Sequence, residues 1–136
     1  MITNTVTKVS YGEYAVELAK IALKARLYVP GWDLNPTLHT IIKHANSMCY
    51  GVAVTFYYDK PIAVAITKAT WNGVVYTFVK PKHRKNGHGR NVTKSLLSKY
   101  VGDEEPAGHG TGIKGASKFF ESMGLPIKEN YDDGYD

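Results

Sequence analysis

The chain has 136 residues, a length that suits one domain around a single hydrophobic core. Hydrophobic residues make up 43% and charged residues 21%, which excludes a disordered or fibrous protein. The net charge of +5 is unevenly spread: residues 1–100 carry 14 Lys and Arg against 4 Asp and Glu, whereas residues 101–136 carry 3 against 8. This asymmetry favours a basic face that meets an anion, or two surfaces that are merely solvated differently.

The apolar runs and the single cysteine predict a cytoplasmic protein. The first residues, MITNTVTK, lack the apolar core of a signal peptide, and no run approaches the ~18 apolar residues that span a bilayer. Cys49 has no partner for an internal disulfide and is expected to be a reduced, buried thiol. His39 and His44 are five residues apart, which does not suit a helical metal pair, so no metal site is predicted.

The first part of the chain predicts a strand followed by two helices. Residues 3–10 alternate in polarity and are rich in Thr and Val, as strands are. The letters SYGE at 10–13 match a capping box, which predicts a helix over 11–28. The segment VPGWDLNP at 29–36 breaks it, and a second helix is predicted over 37–48.

The middle of the chain predicts three antiparallel strands. Residues 50–59, 60–70 and 73–81 form runs rich in β-branched and aromatic residues. They are separated by turns predicted at 59–61 and 71–73.

Beyond the third strand, a basic loop with two glycines precedes a helix predicted over 89–101. Residues 101–112 predict a loop or a very short strand, and residues 115–126 a last helix that Gly124 ends. The fold class is therefore α/β (α+β), a mixed, mainly antiparallel sheet flanked by helices in the order β-α-α-β-β-β-loop-α-(β)-α-(β).

The basic loop has the composition of an anion site. A loop that enters a helix presents free amides at the helix amino terminus, where the macrodipole adds about half a positive charge. Gly87 and Gly89 permit a sharp turn and close approach of a phosphate. The cationic and imidazole side chains that surround them are Lys82, Arg84, Lys85, His88 and Arg90.

Two segments resemble the GNAT-type N-acetyltransferase superfamily. Val79-x-Pro81-x-x-Arg84-x-x-Gly87-x-Gly89 is similar to its pyrophosphate loop, whose signature is Arg/Gln-x-x-Gly-x-Gly/Ala. The stretch ASKFFESMGL, residues 116–125, is similar to its later Ala-x-x-x-Tyr-Glu-x-x-Gly-Phe segment. The predicted order of strands and helices also looks like that of the family, so the resemblance spans most of the chain.

The resemblance implies acetyl-CoA as acyl donor and a primary amine, on a small molecule or a protein, as acceptor. The backbone of Val79 would pair with pantetheine and polarise the thioester carbonyl, and amides from Gly87 to Arg90 would hold the pyrophosphate. The implied coenzyme-binding residues are Val79, Arg84, Lys85, Gly87, His88, Gly89 and Arg90.

The usual catalytic side chains of the family are absent. Phe120 stands where relatives often have the tyrosine that protonates the leaving thiolate. Gly73 and Val75 stand where relatives often have a Glu or His that acts as the general base. Tyr76 and Tyr131 are the candidate catalytic residues in their place, because a phenol can donate or accept a proton. Water alone is a further alternative.

Three functions stay open. The first is an N-acyltransferase whose acceptor amine is drawn toward acidic residues, namely Asp103, Glu104, Glu105, Asp132 and Asp133. The second is a nucleic-acid-binding protein in which the basic loop grips phosphates and Tyr57, Tyr58 and Trp71 stack on bases. The third is an acyl-CoA-binding domain without catalysis that contacts a partner protein.

Overall fold

The computed structural model describes residues 4–30, 34–43, 50–68, 73–100, 105–109 and 116–128. The strands are β1 (Thr5–Tyr11), β2 (Tyr50–Tyr57), β3 (Lys60–Lys68), β4 (Val74–Val79), β5 (Ala107–His109) and β6 (Ile127–Lys128). The helices are α1 (Ala15–Lys24), α2 (Leu34–Lys43), α3 (His88–Leu97) and α4 (Ala116–Ser122). Short 3-10 turns occupy Gly12–Tyr14 and Pro81–His83. None of the helices in these ranges is long and apolar enough to cross a membrane.

The strands form one sheet in the order β1-β2-β3-β4-β5-β6. The first four strands pair antiparallel, whereas β4 pairs parallel with β5 and β5 parallel with β6. The mixed, mainly antiparallel sheet predicted from the sequence is thereby confirmed, and so are its order of elements and the very short fifth strand.

The two faces of the sheet carry side chains of different size. On the face covered by α1 and α2, the central strands present branched residues, which are Val52, Val54, Val64 and Ile66. On the face covered by α3 they present alanines, which are Ala53, Ala63 and Ala65. Small side chains let α3 lie close to the sheet, with Val92 and Leu96 buried between them. The position of the amino terminus of α3 follows from this close packing.

The start of α1 corrects the predicted capping box. Tyr11 belongs to β1, and the helix begins only at Ala15, without a side-chain cap. The hydroxyl of Ser10 instead donates to the carbonyl of Tyr11 at 3.5 Å. Tyr11 is held in the strand because its own hydroxyl donates to the Leu96 carbonyl at 2.9 Å, across the α3 face. Burial raises the pKa of Tyr11, so this donor stays protonated.

The end of α1 is a Schellman motif. The Arg26 amide donates to the Leu23 carbonyl at 3.0 Å, and the Leu27 amide to the Ala22 carbonyl at 2.9 Å. Arg26 adopts the left-handed conformation, φ 58°, that this motif usually gives to glycine, and Leu27 is fully buried beside it. The helix therefore ends before residue 28, where the sequence predicted its end.

Two other boundaries also differ from prediction. α2 begins at Leu34, three residues earlier than predicted, because Pro36 is tolerated in a first helical turn; residues 44–48 of the predicted helix lie outside the described residues. The β2–β3 turn is made by Tyr58 and Asp59, both with positive φ (49° and 68°), so that Lys60 and Pro61 join the strand. Cys49 also lies outside the described residues.

Enlarging the alanine face is expected to destabilise the protein. Ala65→Leu inserts three carbons under α3 and should lower the free energy of unfolding by about 1–3 kcal/mol. Val6→Leu is the matched control on a side chain that is 59% exposed, with an expected change below about 0.5 kcal/mol. Urea unfolding measures both variants. Equal stability would mean that α3 does not rest closely on this face.

Candidate functional site

The sheet opens between β4 and β5. Val74 and Val75 of β4 pair with β5, opposite Ala107 and Gly108. Within the described ranges, no strand pairs with Thr77, Phe78 or Val79 on that edge. A main-chain edge without a neighbouring strand can accept an extended ligand as an additional strand.

The main chain of Val79 faces this open edge. On the opposite edge of β4 the Lys80 amide donates to the Ile62 carbonyl at 2.9 Å, and alternation along an antiparallel strand then turns Val79 away from β3. The Val79 carbonyl accepts a hydrogen bond from Nε of Arg84 at 2.7 Å. The guanidinium carbon of Arg84 also lies 5.3 Å from the centre of the Phe78 ring. Arg84 therefore covers the end of the open edge.

α3 begins directly beside this edge, with free amides. Gly87 precedes the helix in the left-handed conformation, φ 85°, and no side chain caps the helix. The helical bond from the Asn91 amide to the Gly87 carbonyl measures 3.0 Å. The amides of His88, Gly89 and Arg90 precede this bond and so belong to the turn that has no helical acceptors. Together with the macrodipole they make a site for an anion.

Gly89 serves a packing role as well. A Cβ added to it would lie 3.2 Å from the ring of Phe119 on α4 and 3.3 Å from Cγ2 of Val79. The absence of a side chain thus brings α3 close to both α4 and β4. Arg90 reinforces the contact between the helices, since its Nη2 donates to Oγ of Ser122 at 3.2 Å.

His88 is buried rather than presented to solvent. Its side chain is 6% exposed, and its Nδ1 has no hydrogen-bond partner within the described residues. The ring lies 6.4 Å from that of Tyr57 and 6.2 Å from that of His83, measured between ring centres. Burial lowers the pKa of His88 and the neighbouring His83 lowers it further. The contribution of His88 to an anion site is therefore its amide, whereas Lys85 offers an exposed cation.

Only some of the positions considered for acid–base chemistry lie among the described residues. Phe120 is 2% exposed, with its ring 5.0 Å from that of Phe119, so this position offers packing and no proton. Tyr76 is half-buried and packs against the core on the α1–α2 face. Tyr131 lies outside the described residues. No cluster of His, Cys, Asp or Glu that could hold a metal occurs among the residues described.

A cavity of about 920 Å³ lies on the α1–α2 face, where the end of α1 meets the end of β4. Its walls come from residues between Ala25 and Pro30 and between Phe78 and Arg84. The charged side chains of the described lining are all cationic, namely Arg26, Lys80, Lys82 and Arg84.

Sequence reasoning missed Arg26, Tyr28 and Lys80 as functional candidates. Arg26 and Tyr28 are distant from the glycine loop along the chain, and Lys80 lies before it. None of the three belongs to a recognised motif. Only the tertiary packing, which places the end of α1 beside the end of β4, could have indicated them.

The buried His88 makes stability depend on pH. Because its pKa in the folded state lies below the ordinary 6.5, the unfolded chain binds a proton first as the pH falls. Stability is then lost below about pH 6.5, by at most about 1.4 kcal/mol per pH unit for one such group. Urea unfolding against pH should show a flatter curve for His88→Gln than for the wild type. His39→Gln controls for loss of an exposed histidine, and parallel curves for all three proteins would contradict the assignment.

The comparisons with known proteins rest on structure alone, since no protein-family model and no curated protein sequence matches the chain. An aminoglycoside acetyltransferase from an uncultured soil metagenomic sample, in complex with sisomicin, has a TM-score of 0.61 at 14% identity, covering 98% of this chain and 95% of its own. Aminoglycoside N-acetyltransferase AAC(6')-Iy, in complex with CoA, has 0.56 at 13%, covering 100% and 98%.

Glucosamine-6-phosphate N-acetyltransferase from Arabidopsis thaliana has a TM-score of 0.54 at 16% identity, covering 96% of this chain and 98% of its own. The resemblance stated from the glycine loop and the last helix is thus confirmed at the level of architecture. The chain has the fold of the GNAT-type N-acetyltransferases.

Proposed function

We propose that the chain is an acetyl-CoA-dependent N-acetyltransferase that acts on a primary amine. The observation that carries this proposal is the meeting of two features at one point, the open edge of β4 and the uncapped amino terminus of α3. The open edge of β4 suits the amide-bearing pantetheine arm, and the amino terminus of α3 suits the diphosphate. Similarity to acetyltransferases, one of them in complex with CoA, supports the same conclusion.

The first turn of α3 would hold the diphosphate. The amides of His88, Gly89 and Arg90 point out of the helix, and the macrodipole favours negative charge there. Gly87 makes the turn possible because φ 85° is strained for a residue with a side chain. The side chains of Lys85 and Arg90 are exposed close by and would add to the positive potential.

The open edge of β4 would hold the pantetheine arm as an added strand, through the main chain of Val79. Because Nε of Arg84 now donates to the Val79 carbonyl, an amide of the arm has to take its place there. Arg84 would then be released beside the cavity. When bound, acetyl-CoA supplies an acetyl thioester.

The transfer requires few groups of the protein. The amine nitrogen forms a bond to the carbonyl carbon, the carbon–sulfur bond breaks, and nitrogen loses one proton while the thiolate gains one. Removing a proton from an ammonium with a pKa near 10.4 costs about 4.6 kcal/mol at pH 7. Tyr76 and Tyr131 stay candidates for proton transfer, and water can serve in their place.

A nucleic-acid-binding function is not favoured by the arrangement of the aromatic residues proposed to stack on bases. The Tyr57 ring is engaged by Tyr58 at 4.6 Å and by His83 at 5.7 Å. The Tyr58 hydroxyl accepts a hydrogen bond from Nδ2 of Asn4 at 2.6 Å. Trp71 lies outside the described residues.

Binding of the coenzyme is tested by thermal unfolding with acetyl-CoA. Acetyl-CoA at a hundredfold excess over its Kd should add about 2.7 kcal/mol to the free energy of unfolding and thereby raise the melting temperature. Gly87→Glu places a carboxylate beside the diphosphate and should abolish the shift, whereas Gly87→Gln carries the same backbone strain without the charge and should keep part of it. If both variants fail to fold, Lys85→Glu and Lys85→Gln make the same comparison.

Thiol release on adding amines then separates an enzyme from a domain that only binds the coenzyme. Stabilisation by a short DNA duplex and not by acetyl-CoA would overturn the proposal. Stabilisation without thiol release from any amine would support the non-catalytic alternative.

A further inference from the structure

The cavity at the end of α1 carries four cationic side chains on otherwise uncharged walls, among the residues that the structure describes. Arg26 comes from the end of α1, Lys80 from the end of β4, and Lys82 and Arg84 from the turn that follows. Within the described residues none of the four forms an ion pair, and the salt bridge found there joins Lys20 to Glu17 elsewhere on α1. Tyr28 and Phe78 add aromatic surface. A volume of about 920 Å³ suits a small molecule.

The cavity lies on the opposite side of the sheet from the amino terminus of α3. Phe78, in its wall, packs with the core of the α1–α2 face. Val79, the next residue, packs with the core beneath α3 and faces the open edge with its main chain. A thioester that reaches Val79 from the α3 side is therefore approached by an acceptor from the cavity.

The charge of the cavity restricts the acceptor. The four cationic side chains disfavour a simple ammonium or a polyamine, because like charges repel. Of the acidic residues that the sequence offered for attracting an amine, Glu105 alone is described, and it is exposed and not part of the cavity wall. The described walls therefore favour an acceptor whose amine is accompanied by a negative charge.

The backbone of Arg26 gives independent support. It occupies the left-handed position, φ 58°, that ends α1, where glycine would be favoured. A long cationic side chain at such a position costs stability, and strained residues of this kind concentrate at functional sites. The side chain lines the cavity.

On this basis, and resting on the proposed function, we infer that the acceptor is a small primary amine that also bears an anionic group, a phosphate or a carboxylate. Arg26, Lys80 and Lys82 bind the anionic group. The same cations favour the neutral form of the amine over the ammonium, which eases attack without a dedicated base.

Matched pairs of amines test the inference by binding, with CoA present throughout. Glucosamine 6-phosphate is compared with glucosamine, and β-alanine with propylamine, by the shift in melting temperature and by calorimetry. At least one anionic member should bind about tenfold more tightly than its neutral partner, a preference that falls as salt screens the charges. A preference within the first pair identifies the anionic group as a phosphate, and a preference within the second pair identifies it as a carboxylate.

Three variants locate the preference in the cavity. Lys82→Gln should reduce it by about threefold or more, as expected for loss of one partly exposed charge contact. Arg26→Gly should reduce it similarly while raising the melting temperature by about 3 °C, because glycine relieves the backbone strain. Lys24→Gln, an exposed cation of α1 outside the cavity wall, should leave the preference unchanged.

Several outcomes would overturn the inference. These are equal binding of both members of each pair, no binding of any of them, or a preference that the Arg26 and Lys82 variants leave intact. Displacement of CoA by the anionic amine would also overturn it, since the anion would then occupy the coenzyme site. Thiol release with neutral amines but no anionic preference would remove this inference and leave the proposed function standing. Selective binding without thiol release would leave the anion selectivity of the cavity standing and would overturn the proposed transfer, and with it the role of the bound amine as acceptor.

Discussion

The parting of β4 from β5 is the constraint on which the rest of the site depends. Main-chain amides and carbonyls that leave a sheet need new partners, because a buried unpaired group costs about as much as a lost hydrogen bond. In this protein Arg84 supplies a donor to the Val79 carbonyl at the end of the open edge. An extended amide-bearing ligand could satisfy the same group, so the open edge is a cost of the fold and the place of the proposed binding.

Beside that edge, α3 and α1 pack differently on the two faces of the sheet. Under α3 the central strands carry three alanines, and Gly89 has no side chain that would hold α3 away from Phe119 and Val79, so the first amides of α3 lie close to the strand. Under α1 the sheet carries larger side chains, and the helix ends in a Schellman motif beside the end of β4. The space left beyond this end is the cationic cavity. A donor from one face and an acceptor from the other would meet at Val79.

In the proposed transfer, electrostatics would take over much of the role of side-chain acids and bases. Phe120 is buried in the contact between α4 and the sheet and offers no proton. His88 is desolvated, with its pKa lowered, and so is neutral near pH 7. Among the described residues, the site has main-chain amides and the exposed ends of Lys and Arg, groups that favour negative charge beside them.

The sequence by itself determined the order of strands and helices, and it predicts an anion site in the loop from Pro81 to Gly89. These are local properties: alternation, turn residues and glycine spacing act within a few residues of each other. The capping box at Ser10 failed because Tyr11 finds a carbonyl on α3, far along the chain. Only the tertiary structure decided that His88 is buried, that Gly89 carries a helix contact and that Arg26 and Lys80 share a cavity. Each of these depends on residues that packing brings together from distant parts of the chain, and no local pattern encodes such a meeting.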